Sequence, residues 1–411
     1  MRGILAGRTV VELGTMLAAP FAGHMLAQLG ATVIKVEPPA GDPTRTMVRG
    51  GPSGTFIAYS RGKKSICIDL KTVEGQAVLE RLVSQVDIVV HNLAPGSARR
   101  LNVTYEDCHR VNPDIVYCHI QGYGPGPRED ELASNPVVEA STGVMYSHRI
   151  DGRPTRLGPS YHDQFAGAYA VIGILAALGA KAGDTSARRV EVGLYETGLH
   201  VAARELVGGQ LKEQLGVRST ADAGAGEFSM PGYGAYETAD GRWIYLVMLS
   251  DTHWRRFCEA LSLPQARDDS LVTVRQRKKQ RAQVEEIVKA AVQALAFDEA
   301  AVRLQQVGFG FTEVKSAPDV LGEPQAQQPG KLEPVSFGGL DFNVPNFPLP
   351  HQLADRSSEL PPPLLGEHTL EIMRSLGYDE AECAALMERG AVVHGGSAGP
   401  LWAPPREPRS K

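Results

Sequence analysis

The chain has 411 residues, 43% hydrophobic and 22% charged, with a formal net charge of −5. That length exceeds one ordinary compact core, so two domains are expected. The mildly acidic balance gives no electrostatic reason to bind nucleic acid. Five cysteines without paired spacing argue against a disulfide framework or a zinc site and fit a reducing, cytoplasmic setting.

The opening MRGILAGRTVVELGTMLAAP has the basic-then-apolar order of a secretion signal. Arg8 and Glu12 cut its apolar run into pieces of about five residues, so a first strand running into a helix is expected instead. Strands are expected at TVVEL (9–13), ATVIKVE (31–37), SICIDL (65–70), DIVVHNL (87–93) and DIVYCHIQGYG (114–124). Most are apolar on both faces, as in a covered parallel sheet. Between them, APFAGHMLAQLG starts near Pro20 and stops at Gly30, and TVEGQAVLERLVSQV has helical apolar spacing with Thr72 placed to cap it. The alternation predicts a doubly wound α/β domain.

From Phe165 to Ala180 every residue is Ala, Gly, Ile, Leu, Val, Phe or Tyr. This run is short of the ~20 residues that span a bilayer, so no membrane segment is expected and the run reads as a buried helix. Farther on, GYGAYETADGRWIYLVML reads as two strands turning at Asp240-Gly241. The basic run Arg275–Arg281 reads as the solvated face of a helix, with a phosphate site as the alternative. Residues 316–366 are rich in Pro and Gly and poor in strand signals, which suggests a surface connector. LLGEHTLEIMRSLGYDEAECAALMERG returns to two amphipathic helices, and the last residues, 396–411, predict a disordered tail.

The standard catalytic and nucleotide signatures are absent. No strand runs into G-x-G-x-x-G, and no Walker loop, G-x-S-x-G, H-E-x-x-H or C-x-x-C occurs. No metal site is expected. GYGPGP (122–127) reads either as a turn or as backbone brought close to a ligand. His162 reads as a polar loop residue. Asp163 stands at the mouth of the apolar run. A carboxylate there is an N-cap accepting the first N–H groups of the helix, or a nucleophile beside the small residues Ala166, Gly167 and Ala168, or both.

The ordered set TVVELGTMLAAPFAGHMLAQLGATVIKVEPPAGDPTR, RGKKSICIDLKTVEG, HNLAPGSARRL, QGYGPGP, DQFAGAYAVIGILAAL, RRVEVGLYE, YETADGRWIYL and LLGEHTLEIMRSLGY resembles the class III CoA-transferases, whose family also contains the α-methylacyl-CoA racemases. The resemblance runs from about residue 4 to 390. It implies an α/β fold: a Rossmann-like large domain with a parallel sheet, a smaller α+β domain, and two chains interlocked as a homodimer. It divides the chain into a first large-domain part (1–205), a linker (206–225), the small domain (226–325), a second linker (326–350) and a C-terminal large-domain part (351–395). Coenzyme A or acyl-CoA enters as substrate rather than as a permanently bound cofactor, with a small carboxylic acid as the second substrate.

Carried over position by position, Asp163 falls on the family's catalytic aspartate, which forms a mixed anhydride and then an enzyme–CoA thioester. Lys71 and Arg100 match cations that approach the CoA phosphates. Asn92, Ala94, Gly122, Tyr123 and Gly124 match positions lying against the coenzyme. Leu17, Ala18 and Asn135 match the acyl pocket, and Gly224, Gly226, Gly232 and Gly234 lie where the family has a glycine loop. Leu17 replaces the glutamine of the formyl-CoA enzyme, which argues against formyl or oxalyl specificity. Ser134-Asn135 replaces the His-Asp pair of the racemases, which removes one proton-transfer base. A CoA-transferase is therefore expected; an α-methylacyl-CoA epimerase or a non-catalytic CoA-binding protein are the alternatives.

Overall fold

The computed structural model describes residues 3–48, 52–180, 186–216, 230–350, 353 and 360–395. It separates into two compact units, Met1–Val207 with Pro329–Lys411, and Gly208–Gln328.

The first unit is built on strands β1 (Thr9–Leu13), β2 (Thr32–Glu37), β3 (Lys63–Ile68), β4 (Ile88–His91), β5 (Val116–Gln121) and β6 (Arg189–Gly193). They pair in parallel in the order β3-β2-β1-β4-β5-β6, and a short strand, Val392–Val393, adds antiparallel to β3. This is the 3-2-1-4-5-6 order of doubly wound sheets. Val10, Val11, Ile66, Ile88, Val89 and Val90 are fully buried, because helices cover both faces. Helices α1 (Ala18–Gln28) and α5 (Tyr161–Leu178) pack on one face, against Val10, Val33, Ile88, Val116 and Ile120. Helix α2 (Val73–Val83) packs on the other face with the C-terminal helices Thr369–Ser375 and Glu380–Glu388. Thr72 caps α2 by accepting the Gly75 N–H.

Helix α3 (Pro95–Arg100) follows β4, α4 (Asn135–Ser141) follows β5, and α6 (Leu194–Val201) follows β6. Because α5 connects β5 to the parallel β6, it runs against the strand direction. Its first turn therefore lies at the carboxyl edge of the sheet, with the loops after β1, β4 and β5. Strand order reverses between β1 and β4, and ligands of open α/β sheets bind at that edge and that point.

The second unit holds an antiparallel sheet of Phe311–Glu313, Trp243–Leu246 and Gly234–Glu237. It encloses a core of Trp254, Phe257, Val284, Val288 and Leu304. The turn at Asp240-Gly241 forms, with Gly241 at φ 77°.

Three expectations need correction. The stretch 316–366 contains a hairpin, Leu332–Phe337 with Leu340–Pro345, turning on Gly338 and Gly339 at φ 61° and 78°. The basic run Arg275–Arg281 is not one solvated face. It spans two helices, and Arg277 is buried, donating to the Leu271 and Val272 carbonyls and to Asp251. The apolar run of α5 is buried only on the side of Ala166, Ala170 and Ile174; Phe165 and Ile172 are exposed. The tail at 396–411 lies outside the described residues.

Candidate active site

Asp163 is the third residue of α5, so it is not the helix cap. The cap position is Ser160, whose side chain makes no capping bond. The cap comes instead from α4: the Asn135 Oδ1 accepts the His162 N–H at 2.9 Å. Asn135 is buried, and its Nδ2 donates to Glu139, which also accepts the Leu157 N–H at 3.2 Å. His162 is a buried helical residue rather than a loop residue, and both its ring nitrogens lack a partner among the described residues. Among the described residues no hydrogen bond reaches the Asp163 carboxylate. Burial pushes its pKa up to about 6, against the pull of Arg156.

One turn along the helix, Gly167 brings α5 onto α1. A Cβ there would stand 2.7 Å from the Ala18 carbonyl oxygen and 2.9 Å from the Phe21 ring. Glycine thus sets the spacing between the Asp163 helix and the loop carrying Leu17 and Ala18. Gln164 donates to the Tyr59 hydroxyl at 2.9 Å, and the Tyr59 ring meets Phe21 edge-on at 5.1 Å. Ala18 is buried, Leu17 is half-buried at the start of α1, and Met16 before them has φ 64°. A non-glycine residue in that region is strained backbone held by its surroundings.

Those surroundings are built from side chains. Asn92, at the end of β4, accepts the Thr15 N–H and donates to the Thr15 carbonyl, both at 2.9 Å. It ties the β1 loop to β4 where the two strands diverge. Beneath the loop lies a buried ionic network. Lys35 contacts Glu12 at 3.0 Å and Asp42 at 2.9 Å and donates to the Gly14 carbonyl at 2.7 Å. Lys63 contacts Glu12 at 2.6 Å and donates to the Pro20 carbonyl at 2.8 Å. Arg45 forks onto Glu37 with two bonds of 2.7 Å. Burial pushes Lys63 down to about 8 despite Glu12, whereas Lys35, also desolvated, is raised because Glu12 and Asp42 both face it. Charged residues inside strands buried on both faces were the sequence signal for this network, and Glu12 and Lys35 stand in such strands.

The remaining candidates sit as follows. Lys71 and Arg100 are exposed, and neither forms an ion pair among the described residues; Arg100 donates to the Ser97 hydroxyl at 2.8 Å. Ala94 is the cap position of α3, and its carbonyl accepts the Ser97 and Ala98 N–H groups. In the loop after β5, Gly122 lies against Ala133, and the Gly124 N–H donates to Glu196 of α6 at 3.0 Å. Tyr123 is buried with its hydroxyl unpartnered among the described residues, and Arg128 stacks on its ring at 4.1 Å. Gly232 and Gly234 belong to the second unit. Gly232 has φ 80° and donates its N–H to Glu285 at 3.2 Å, and Gly234 opens a strand. Gly224 and Gly226 lie outside the described residues. Glu139, Gln164 and Tyr59 were missed in the sequence, since bonds across 18 and 105 residues leave no local pattern.

Residues 5–369 match the description of CoA-transferase family III. The chain belongs to that family. Its members are enzymes. It is 30% identical over 392 residues to a protein of Chloroflexus aurantiacus named succinyl-CoA–D-citramalate CoA-transferase, covering 93% of this chain and 96% of that one. It is 30% identical over 403 residues to the human succinyl-CoA:glutarate CoA-transferase, covering 94% and 90%. A CaiB/BaiF family protein from Brucella suis has a similar fold, with a TM-score of 0.80 at 27% identity over 92% of this CoA-transferase and all of that chain. No helix among the described residues is long and apolar enough to cross a membrane.

Proposed function

We propose that this enzyme moves coenzyme A from an acyl-CoA donor to a free carboxylic acid, with Asp163 as the covalent nucleophile. The observation that carries this reading is the state of Asp163: a carboxylate at the carboxyl edge of the sheet, unbonded among the described residues, partly desolvated and backed by small residues. A carboxylate that has lost hydration is a better nucleophile, and a raised pKa of about 6 still leaves it ionised at neutral pH.

In the first step an Asp163 oxygen attacks the thioester carbonyl, and the CoA thiolate leaves, giving a mixed anhydride. The thiolate then attacks the aspartyl carbonyl of that anhydride. The donor acid leaves as a carboxylate, and Asp163 is left as a thioester of CoA. The acceptor carboxylate attacks this thioester, releases the thiolate and forms a second anhydride. The thiolate attacks the acceptor's carbonyl, giving the new acyl-CoA and the free Asp163 carboxylate. Each step exchanges one acyl–oxygen or acyl–sulfur bond for another, so no proton, metal or redox cofactor is consumed.

In this reading Lys71 and Arg100 meet the CoA phosphates; that each is an exposed cation without an acid partner among the described residues supports the assignment. Ala94, Asn92 and the loop Gly122–Gly124 form the backbone edge along which the coenzyme would lie. The exposed apolar side chains of α5, Tyr161, Phe165 and Ile172, support a second copy of the chain as the cover of that helix. Light scattering giving a mass near 44.2 kDa at every concentration would exclude the dimer.

The relatives' names make succinyl-CoA the first donor to test and short dicarboxylic or hydroxy acids the first acceptors. The test is a screen of acyl-CoA donors against such acids, with products identified by mass. New acyl-CoA that appears only when an acid is supplied supports the transferase. Exchange of the substrate's α-hydrogen in deuterated water without any acid would identify an epimerase instead.

A further inference from the structure

Among the described residues, Ser160-x-x-Asp163 is one of three places where this chain sets a hydroxyl residue three positions before an aspartate at a helix start. At the other two, Thr104–Asp107 and Ser316–Asp319, the pattern closes into a capping box. The aspartate accepts the N–H of the cap residue at 3.0 Å and 3.1 Å respectively. The cap residues are extended there, with ψ 167° and 161°. At Ser160–Asp163 neither bond forms, and Ser160 is turned to ψ 65°. One local sequence pattern thus has two outcomes, and the open one occurs at the nucleophile.

The difference lies outside the segment. Asn135, 27 residues upstream, donates nothing to α5 but accepts its His162 N–H, which does the work of a cap. Its carboxamide cannot flip freely, because its Nδ2 is engaged by the fully buried Glu139, which also accepts the Leu157 N–H just before the helix. We propose that Asn135 is a positioning residue that holds the Ser160–Asp163 box open, supplying the helix cap from α4 so that the Asp163 carboxylate stays free. This rests on the reading of Asp163 as the nucleophile. A closed box would cost that nucleophile twice. One lone pair would be committed to the Ser160 N–H, and a hydrogen-bonded carboxylate is a weaker base.

The charged and imidazole groups on the elements around α5 are His24 of α1, Glu139 of α4, His119 of β5, Arg188 and Arg189 before and in β6, Glu191 of β6, and Glu196 and His200 of α6, with Arg156 on the preceding loop and His162 on α5 itself. Of these, the Arg156 charge bears on Asp163. Glu139 is itself bonded to Asn135, so a moved acid limb after substituting Asn135 is read together with its rescue by Ser160→Pro, which removes the N–H of the box and leaves the Glu139 contact unchanged.

The test uses Asn135→Ala, Ser160→Pro and the double variant. Proline removes the N–H that a closed box needs, Ser160 at φ −79° suits it, and that N–H has no partner in the described structure. In Asn135→Ala, a crystal structure should show the Asp163 carboxylate on the Ser160 N–H. Its kcat should fall roughly tenfold, the scale of one hydrogen bond to a charged carboxylate, with KM for the CoA donor held within about twofold. The acid limb of kcat/KM should move about one pH unit lower. Adding Ser160→Pro should restore both kcat and the limb. Asn135→Ser, polar but too short to reach the helix, should behave as the alanine variant does and serves if that one folds poorly. An open box in the crystal, or lost activity with an unmoved limb and no rescue by proline, would overturn the proposal. Failure of the nucleophile reading looks different: wild-type protein would form no CoA adduct at Asp163 even though the box closes in the variants.

Discussion

Glu12 and Asp163 are carboxylates placed at the carboxyl edge of one sheet, and they are treated in opposite ways. Glu12 is fully buried and held by Lys35 and Lys63, which also fasten the Gly14 and Pro20 carbonyls. Asp163 is only half buried, is bonded to nothing described, and has its helix capped by another residue. The first arrangement satisfies every charge and so builds a rigid loop for Leu17 and Ala18. The second leaves one charge unsatisfied where chemistry needs it. Structure and reactivity are divided between two acids, and the protonation behaviour follows the division. Glu37 and Asp42 of the network, although burial alone would raise them, are held below the usual carboxylate range, Glu37 by Arg45 and Asp42 by Lys35. Asp163 has no such partner and is raised.

The largest effect that tests this contrast is on turnover. Asp163→Asn should fold, bind CoA and lose essentially all activity in a CoA-transfer assay, whereas near wild-type turnover, with deamidation excluded by mass, would break the comparison at its functional end. Glu12→Gln should act the other way, through stability. It leaves buried Lys63 facing an amide while Lys35 keeps Asp42, a loss of about 3–5 kcal/mol, read as a fall in the denaturation midpoint; a variant as stable as wild type would mean the network is not structural.

A smaller effect separates Asp163 from Glu37 and Asp42 of the network by sign. A carboxylate with a raised pKa is a destabilising charge: the native state holds its proton more tightly between the usual range near 4 and about 6, so the cost is absent at pH 4 and complete above pH 6. Asp163→Asn should therefore raise Tm by about 1–2 °C at pH 7 for each kcal/mol relieved and change it little at pH 4. Glu37 and Asp42 act oppositely, since their stabilisation is full above pH 4 and is lost as pH falls below it. The smallest expected effect is at the periphery. Arg100→Ala should raise KM for the CoA donor several-fold with the acid's KM unchanged, and more so at low salt; equal effects on both substrates would remove Arg100 from the coenzyme edge.

The sheet was legible because its strands are short β-branched runs buried on both faces, so composition alone marks them. Thr72 was legible as a cap because its bond is local. The hairpin at 332–345 was missed although Gly338-Gly339 is a two-residue turn signal between strands, because Pro334 and Pro345 mask the alternation. Arg277 was missed because charge in a run reads as surface. At the site, Asp163 was legible by resemblance, but its freedom was not. That depends on Asn135 reaching across 27 residues and on Glu139 fixing the amide, contacts that only tertiary packing creates.

The central claim, that Asp163 is left open in order to be acylated, is tested most directly by trapping. The protein is incubated with succinyl-CoA and no acceptor acid, then digested and analysed by mass spectrometry. The account predicts CoA joined as a thioester to the peptide that contains Asp163, removable by hydroxylamine and absent from Asp163→Asn. An active protein that shows no adduct, or one that carries CoA on another residue, would contradict it.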